Sequence, residues 1–207
     1  MDSSTQDGPK VRERTRELVH EEKWLRFKKV FYTVDNSPEV TYEYFERTTR
    51  KGEIDGVEVI PILKDEEGKE KLVMIANYRA PVGKFCLEFP AGLIDEGEEI
   101  AHSALRELEE ETGYKGDPDS VKADYPALYI DAHKSTENTI PVRVHIDGTL
   151  EDNKNPKQKL EAEEVIKIHL VSLDSPLADL TRLAKEHDYC YDAKVYMMLM
   201  GMQFKMQ

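Results

Sequence analysis

Apolar and polar positions alternate in strand-like runs over much of this chain, broken by one helical run in the middle and two near the end. Trp24, Phe27, Val30 and Tyr32 lie in the first alternating run and residues 40–48 form the second, with Asp35-Asn36-Ser37-Pro38 turning between them. Residues 57–63 and 71–78 predict a hairpin across Asp65-Glu66-Glu67-Gly68, and residues 85–89 a short apolar strand. From Ile100 to Thr112 the period becomes helical: Ala101, Ala104, Leu105 and Leu108 gather on one side at about 100° per residue, and Gly113 stops the run. Strands are expected again over 125–130, 140–146 and 165–171. Helices are expected over 176–187, where Ser175 and Pro176 are start signals, and over 193–204. Residues 1–15 carry little to bury and are expected to be disordered. The stretch 152–159, charged and Pro-containing, is expected to be either a mobile lid or a solvated excursion. Mixed strands with one central and two late helices predict an α/β (α+β) sandwich over 53–207, preceded by a β arm over 16–52.

The central helix carries the chemistry. Glu107, Glu110 and Glu111 stand at i, i+3 and i+4, which puts three carboxylates on one edge, beside the apolar stripe rather than inside it. Like charges on adjacent turns repel, and the single cation Arg106 cannot neutralise three of them. Runs of this kind are commonly solvated helix faces. Here the preceding segment Glu88-Phe89-Pro90-Ala91-Gly92 ends a strand at a small, permissive pair whose backbone carbonyls can face an ion. Hard carboxylate oxygens on a half-exposed edge suit Mg²⁺, or Mn²⁺ in its place, bound through few protein ligands plus substrate phosphates.

Composition narrows the setting. At 207 residues the chain supports one full core with a small appendage. The net charge of −13 argues against nucleic-acid or anionic-membrane partners, which rely on basic patches. No stretch reaches the length of a membrane span, and the first 16 residues show no apolar signal run. Cys86 and Cys190 lack ligand spacing, and Cys86 sits in an apolar run, so a packed thiol in a reducing cytosol is expected, with the nucleus also open. No Walker loop, G-x-G-x-x-G or G-x-S-x-G occurs, which removes kinase, dehydrogenase and serine-hydrolase readings.

Gly92, Glu98, Arg106, Glu107, Glu110, Glu111 and Gly113 fall in the register G-x5-E-x7-R-E-U-x-E-E-x-G-U, where U is bulky and apolar and Tyr114 fills the last place. This is the Nudix box, and the chain resembles Nudix hydrolases. Glu46 to Lys51, the Tyr78-Arg79-Ala80-Pro81 corner and Leu87 to Asp95 are similar to the eukaryotic ADP-sugar pyrophosphatases over about residues 17–204. The resemblance implies an α-β-α sandwich and metal-dependent hydrolysis of ADP-ribose to AMP and ribose 5-phosphate. It also implies a homodimer whose N-terminal strands cross to help build the partner's site. It assigns Ala91 (through its carbonyl), Glu107 and Glu111 to the metal, with Glu110 a further acidic position and Arg106 in the catalytic set. Glu164 matches the loop carboxylate serving as general base, with Glu161 and Glu163 as rivals. Trp24 and Tyr42 fall where the family stacks adenine between two aromatics. Glu43, Arg47, Arg79, Leu93 and Asp131 complete the substrate-binding set. The chain departs from the family after the central helix, where Ile130 to Glu137 lacks a Pro-Gly turn, which leaves the preferred terminal sugar open. Two alternatives stand beside this expectation: hydrolysis of another nucleoside diphosphate derivative, such as a dinucleoside polyphosphate or oxidised nucleotide, and a non-catalytic nucleotide sensor.

Overall fold

The computed structural model describes residues 8–205. In chain order its main elements are β1 (Val11–Glu21), β2 (Leu25–Val34), β3 (Val40–Arg47), β4 (Gly56–Lys64), β5 (Glu70–Arg79), β6 (Lys84–Glu88), β7 (Ala91–Leu93), α1 (Ile100–Thr112), β8 (Leu128–Tyr129), β9 (Asn138–Asp147), α2 (Glu151–Lys154), β10 (Ile166–Ser172), α3 (Pro176–His187), β11 (Cys190–Tyr191) and α4 (Ala193–Lys205). They fall into two compact units. One holds the described residues up to Asp55 together with Leu128–Thr139; the other holds Gly56–Ala127 and the residues from Ile140 onward.

The first unit is a three-stranded antiparallel sheet in the order β1-β2-β3. Val30 stands opposite Tyr42 and Phe27 opposite Phe45, whose ring centroids are 5.3 Å apart. β1 corrects an expectation, because residues 11–15 were expected to be disordered and instead pair with β2, Val11 opposite Val34 and Thr15 opposite Phe31. Its charged sequence hid it: almost every β1 side chain is exposed, so no apolar face marks the strand. The earlier residues of the expected disordered stretch, 1–7, lie outside the described residues. The segment from Leu128 onward joins this sheet through the Phe45 amide, which donates to the Lys134 carbonyl at 2.8 Å. Only Leu128–Tyr129 forms a strand where 125–130 was expected.

In the second unit β6, β5 and β4 run side by side, β10 pairs with β5, and β7 pairs with β4. Strands β4 and β5 bury side chains on both faces, so Val57, Val59, Val73 and Ile75 sit at or below 1% exposure. One apolar layer joins Leu72, Met74, Leu87 and Phe89 to Leu180 and Val195 of the late helices. Each fully buried aliphatic side chain contributes about 1.5–3 kcal/mol, which keeps the strands next to the glycine turn rigid. β11 is a two-residue strand the pattern did not reveal, pairing in parallel with β6. Cys86 is buried, and both cysteines are free thiols. The stretch 152–159 is pinned rather than loose: Asn153, buried at the end of α2, accepts from the Lys115 amide at 2.8 Å and donates to the Asp147 carbonyl at 2.9 Å. Among the described residues no helix is long and apolar enough to cross a membrane.

Candidate active site

Two short elements build the site of the second unit. β7 lies antiparallel to β4 with Glu58 opposite Ala91, Val57 opposite Gly92 and Gly56 opposite Leu93. Helix α1 packs above this pair. A Cβ placed on Gly92 would lie 2.0 Å from the Glu107 carboxylate, so only glycine leaves that carboxylate its place. The Ala91 amide donates to Glu111 Oε2 at 2.8 Å. Strand β7 and the helix are therefore joined through Glu111, with the Glu107 carboxylate seated against Gly92.

Those carboxylates lie deeper than the sequence pattern indicated. The buried row of α1 is Ser103, Ala104, Glu107, Leu108, Glu111 and Thr112, while Ala101 is exposed. At about 100° per residue, positions 103, 107 and 111 line up beside 104, 108 and 112, so Glu107 and Glu111 occupy the middle of the buried arc rather than a half-exposed edge. Glu107 keeps 8% exposure and Glu111 only 2%. Burial drives the Glu111 carboxyl up to about 9 and the Glu107 carboxyl up to about 7. Arg106 opposes the rise at Glu107 and the Ala91 amide opposes it at Glu111, while the Glu164 charge adds to both.

Arg106 is occupied as a brace. Its Nε and Nη2 donate to Glu98 at 2.9 and 2.8 Å, its Nη1 to Glu107 at 2.8 Å and to Glu110 at 3.0 Å, and its Nη2 also to the Leu93 carbonyl at 3.0 Å. Arg106 and Leu93 thus tie the turn to the helix, and Glu110 leans on this brace at the solvent edge with 41% of its side chain exposed. Arg79, expected at a phosphate, grips Glu88 with both arms, at 2.8 Å through Nε and 2.5 Å through Nη2, and its charge reaches Glu111. Glu164 stands in the turn before β10, half-buried, its carboxylate accepting from the Glu161 amide at 2.9 Å. Glu161 and Glu163 are exposed.

The remaining expected residues lie on the first unit. Tyr42 donates its hydroxyl to the His133 carbonyl at 2.8 Å, and Asp131 holds His133 at 2.5 Å and Lys134 at 3.3 Å, so Tyr42 and Asp131 meet at one loop. Arg47 is paired with Glu137 at 2.8 Å and Glu43 with Lys29 at 3.2 Å. Trp24 is 55% exposed in the turn between β1 and β2, with Lys23 Nζ 4.2 Å from its ring centroid. Its carbonyl accepts from the Thr48 amide, six residues along the arm from Tyr42. At ~3.3 Å per residue that is about 20 Å along the backbone.

Sequence reasoning missed Glu58, buried at 6% exposure on β4 and paired with Lys194 of α4 at 3.1 Å. Its signal was present, since it is a charge set between the apolar Val57 and Val59 in a strand with no polar face. Gln158, which donates to the Glu111 carbonyl at 2.6 Å, gave no signal at all.

Among the described residues no three acidic, His or Cys side chains converge into a closed cation cage. Two buried carboxylates, a glycine whose Cβ would fill their space and a small-residue turn fit a hard divalent ion that takes its other ligands from water and substrate. Fold and site together define the class, an enzyme with an acidic helix set over a glycine turn for phosphate chemistry. The NUDIX domain matches residues 54–193, and the chain belongs to this family of hydrolases, whose members generally use divalent metal ions. It is 40% identical to the ADP-sugar pyrophosphatase of Mus musculus over 87% of this chain and 82% of that one. It is 35% identical to the ADP-ribose pyrophosphatase of Saccharomyces cerevisiae over 86% and 77%. A solved structure of an ADP compounds hydrolase shares the fold, with TM-score 0.60 and 21% identity over 84% of this chain and 83% of that one.

Proposed function

We propose that this enzyme hydrolyses the diphosphate of ADP-ribose and related ADP-sugars to AMP and a sugar phosphate, with Mg²⁺ as its natural cation and Mn²⁺ as a substitute. The observation that carries the chemistry is the pair Glu107 and Glu111, buried on the helix, Glu111 bonded to the Ala91 amide and Glu107 seated against Gly92, with the charge of Glu164 felt at both. The relatives named for ADP-sugars and ADP-ribose supply the substrate class. A divalent ion held by the Ala91 carbonyl, Glu107 and Glu111 would neutralise charge on the diphosphate oxygens. Arg106 keeps the helix and turn in register for that ion. Glu164, whose carboxylate accepts from the Glu161 amide and has no ion-pair partner among the described residues, takes the proton of the attacking water. Arg79, whose charge reaches Glu111, moves from Glu88 to a phosphate oxygen when substrate arrives.

The first unit recognises the nucleoside and makes the protein a homodimer. Val11, Leu18, Trp24, Leu25, Tyr42 and Phe45 are all exposed there, more apolar surface than a lone arm keeps in water. In that dimer the adenine clamp takes Trp24 from one protomer and Tyr42 from its partner, the two positions lying about 20 Å apart along the backbone of one arm. The test is a panel of ADP-ribose, other ADP-sugars, GDP-sugars and dinucleoside polyphosphates with Mg²⁺, with products resolved by chromatography. AMP and ribose 5-phosphate from ADP-ribose at the highest kcat/KM are expected. Preferred cleavage of GDP-sugars or dinucleoside polyphosphates would overturn the substrate, and no cleavage of any of them would overturn the activity.

A further inference from the structure

Helix α1 ends at Thr112, so its last carbonyls need partners from elsewhere. Gly113, at φ +74°, turns the chain and returns its amide to the Glu109 carbonyl at 2.8 Å. The next two carbonyls are met by a segment more than forty residues later in the chain. The Lys159 amide donates to the Glu110 carbonyl at 2.8 Å, and Gln158 Nε2 donates to the Glu111 carbonyl at 2.6 Å. The approach is close: a Cβ on Gly113 would stand 2.2 Å from the Lys157 nitrogen. The same Gln158 nitrogen lies 3.4 Å from the carbonyl of Ile166, the first residue of β10. Glu164 is two residues before Ile166.

One side-chain amide therefore bridges the backbone of the proposed metal ligand Glu111 and the strand that begins just after the proposed base. We infer that Gln158 is a positioning residue, fixing the distance between Glu164 and the carboxylates of α1. This rests on the reading of Glu164 as base given above. Glu161 and Glu163 are exposed; the Tyr78 amide donates to the Val165 carbonyl at 3.1 Å and ties the end of the turn to β5, and the remaining bonds, Glu161 amide to Glu164 carboxylate and Glu164 amide to Glu161 carbonyl, lie inside the turn itself. Such internal bonds shape the turn without fastening it to the helix. Fastening it falls to Gln158 and the Lys159 amide. A base displaced by about 1 Å loses on the order of a hundredfold in rate, so a single bridging amide is enough to matter.

The experiment compares Gln158→Leu, Glu164→Gln and the double variant by kcat, KM and Mn²⁺ affinity read by electron paramagnetic resonance, with ADP-ribose as substrate. Leu keeps the bulk of the side chain and removes both donors, and Gln158→Glu, which keeps the shape and presents an acceptor to the two carbonyls, is the second variant should Leu fail to fold. The expected result is a kcat lowered roughly tenfold with KM and Mn²⁺ affinity within about twofold of wild type. In the Glu164→Gln background the Gln158 substitution should change kcat no further, because a residue that acts by placing the base has nothing left to place. A kcat near wild type for Gln158→Leu while Glu164→Gln is impaired overturns the inference alone. Losses that multiply in the double variant, or a matching fall in Mn²⁺ affinity, overturn it by showing that Gln158 serves the helix instead. An unimpaired Glu164→Gln removes the base reading, and the inference with it.

Discussion

The two units break the rule of apolar inside and polar outside in opposite directions. The second buries charge: Glu58, Glu88, Glu107 and Glu111 are all at or below 9% exposure. The first exposes apolar surface: Trp24, Leu25, Tyr42 and Phe45 stand at 40% or more. Buried carboxylates are costly without positive charge, and Arg106, Arg79 and Lys194 supply only part of it. Exposed aromatics are costly without a cover. Under the function proposed above, a cation would answer the first inversion and a second copy with its nucleotide the other. The difference also sorts the expected effects of mutation, since lesions in the second unit should strike kcat and lesions in the first should strike KM.

The largest effect should come from removing the cation. Excess EDTA is expected to abolish ADP-ribose hydrolysis while far-UV circular dichroism stays unchanged, because the ion joins carboxylates to substrate and closes no structural cage. Activity that persists in EDTA would remove the metal from the mechanism. Next comes Glu111→Gln, which keeps an acceptor for the Ala91 amide and removes an ionisable carboxyl at 2% exposure. We expect kcat to fall about a hundredfold and Tm of the metal-free protein to stay level or rise, since a neutral amide is cheaper to bury. A lowered Tm with normal kcat would make Glu111 an ordinary structural carboxylate.

The first unit should answer differently. Stacking on an aromatic contributes ~1–3 kcal/mol, so Trp24→Ala should raise KM for ADP-ribose between about 5- and 150-fold with a smaller change in kcat. Mixing Trp24→Ala with Tyr42→Ala chains sharpens the test. In a heterodimer whose clamp draws on both copies, one site carries both lesions and the other none, so low-KM activity should reappear on mixing. If each chain built its own clamp, no mixture would recover it.

How far the sequence reached follows the same division. The strand and helix periods from Val57 to Val171 were readable because burial on a sheet enforces them, and the box register put Gly92, Glu107 and Glu111 at one place before any coordinates. The pattern misjudged depth, setting the carboxylates on an edge, because a hydropathy count treats every glutamate as a solvent residue. It missed β1, whose exposed charges carry no period. Gln158 was invisible, since a contact between a loop amide and a helix carbonyl forty-seven residues away leaves no local trace.

The smallest effect lies at the brace between loop and helix, outside the reacting groups. Glu98 accepts both arms of Arg106, and this bond is the main reason its carboxyl is held down to about 2 from an ordinary 4.5. A folded-state value below the unfolded one means that the ionised form is favoured by folding. The stabilisation is therefore complete above the unfolded value and disappears as pH falls from about 4.5 towards 2. In Glu98→Gln an amide replaces the carboxylate, so Tm near neutrality should be lower than in wild type. The gap between the two proteins should then close progressively below about pH 4.5 and vanish near pH 2. The measurement is Tm by circular dichroism at steps of pH for both chains. A gap that stays constant through this range would show that Glu98 holds the Nudix loop by shape alone, and that the charge on Arg106 is directed wholly at Glu107 and Glu110.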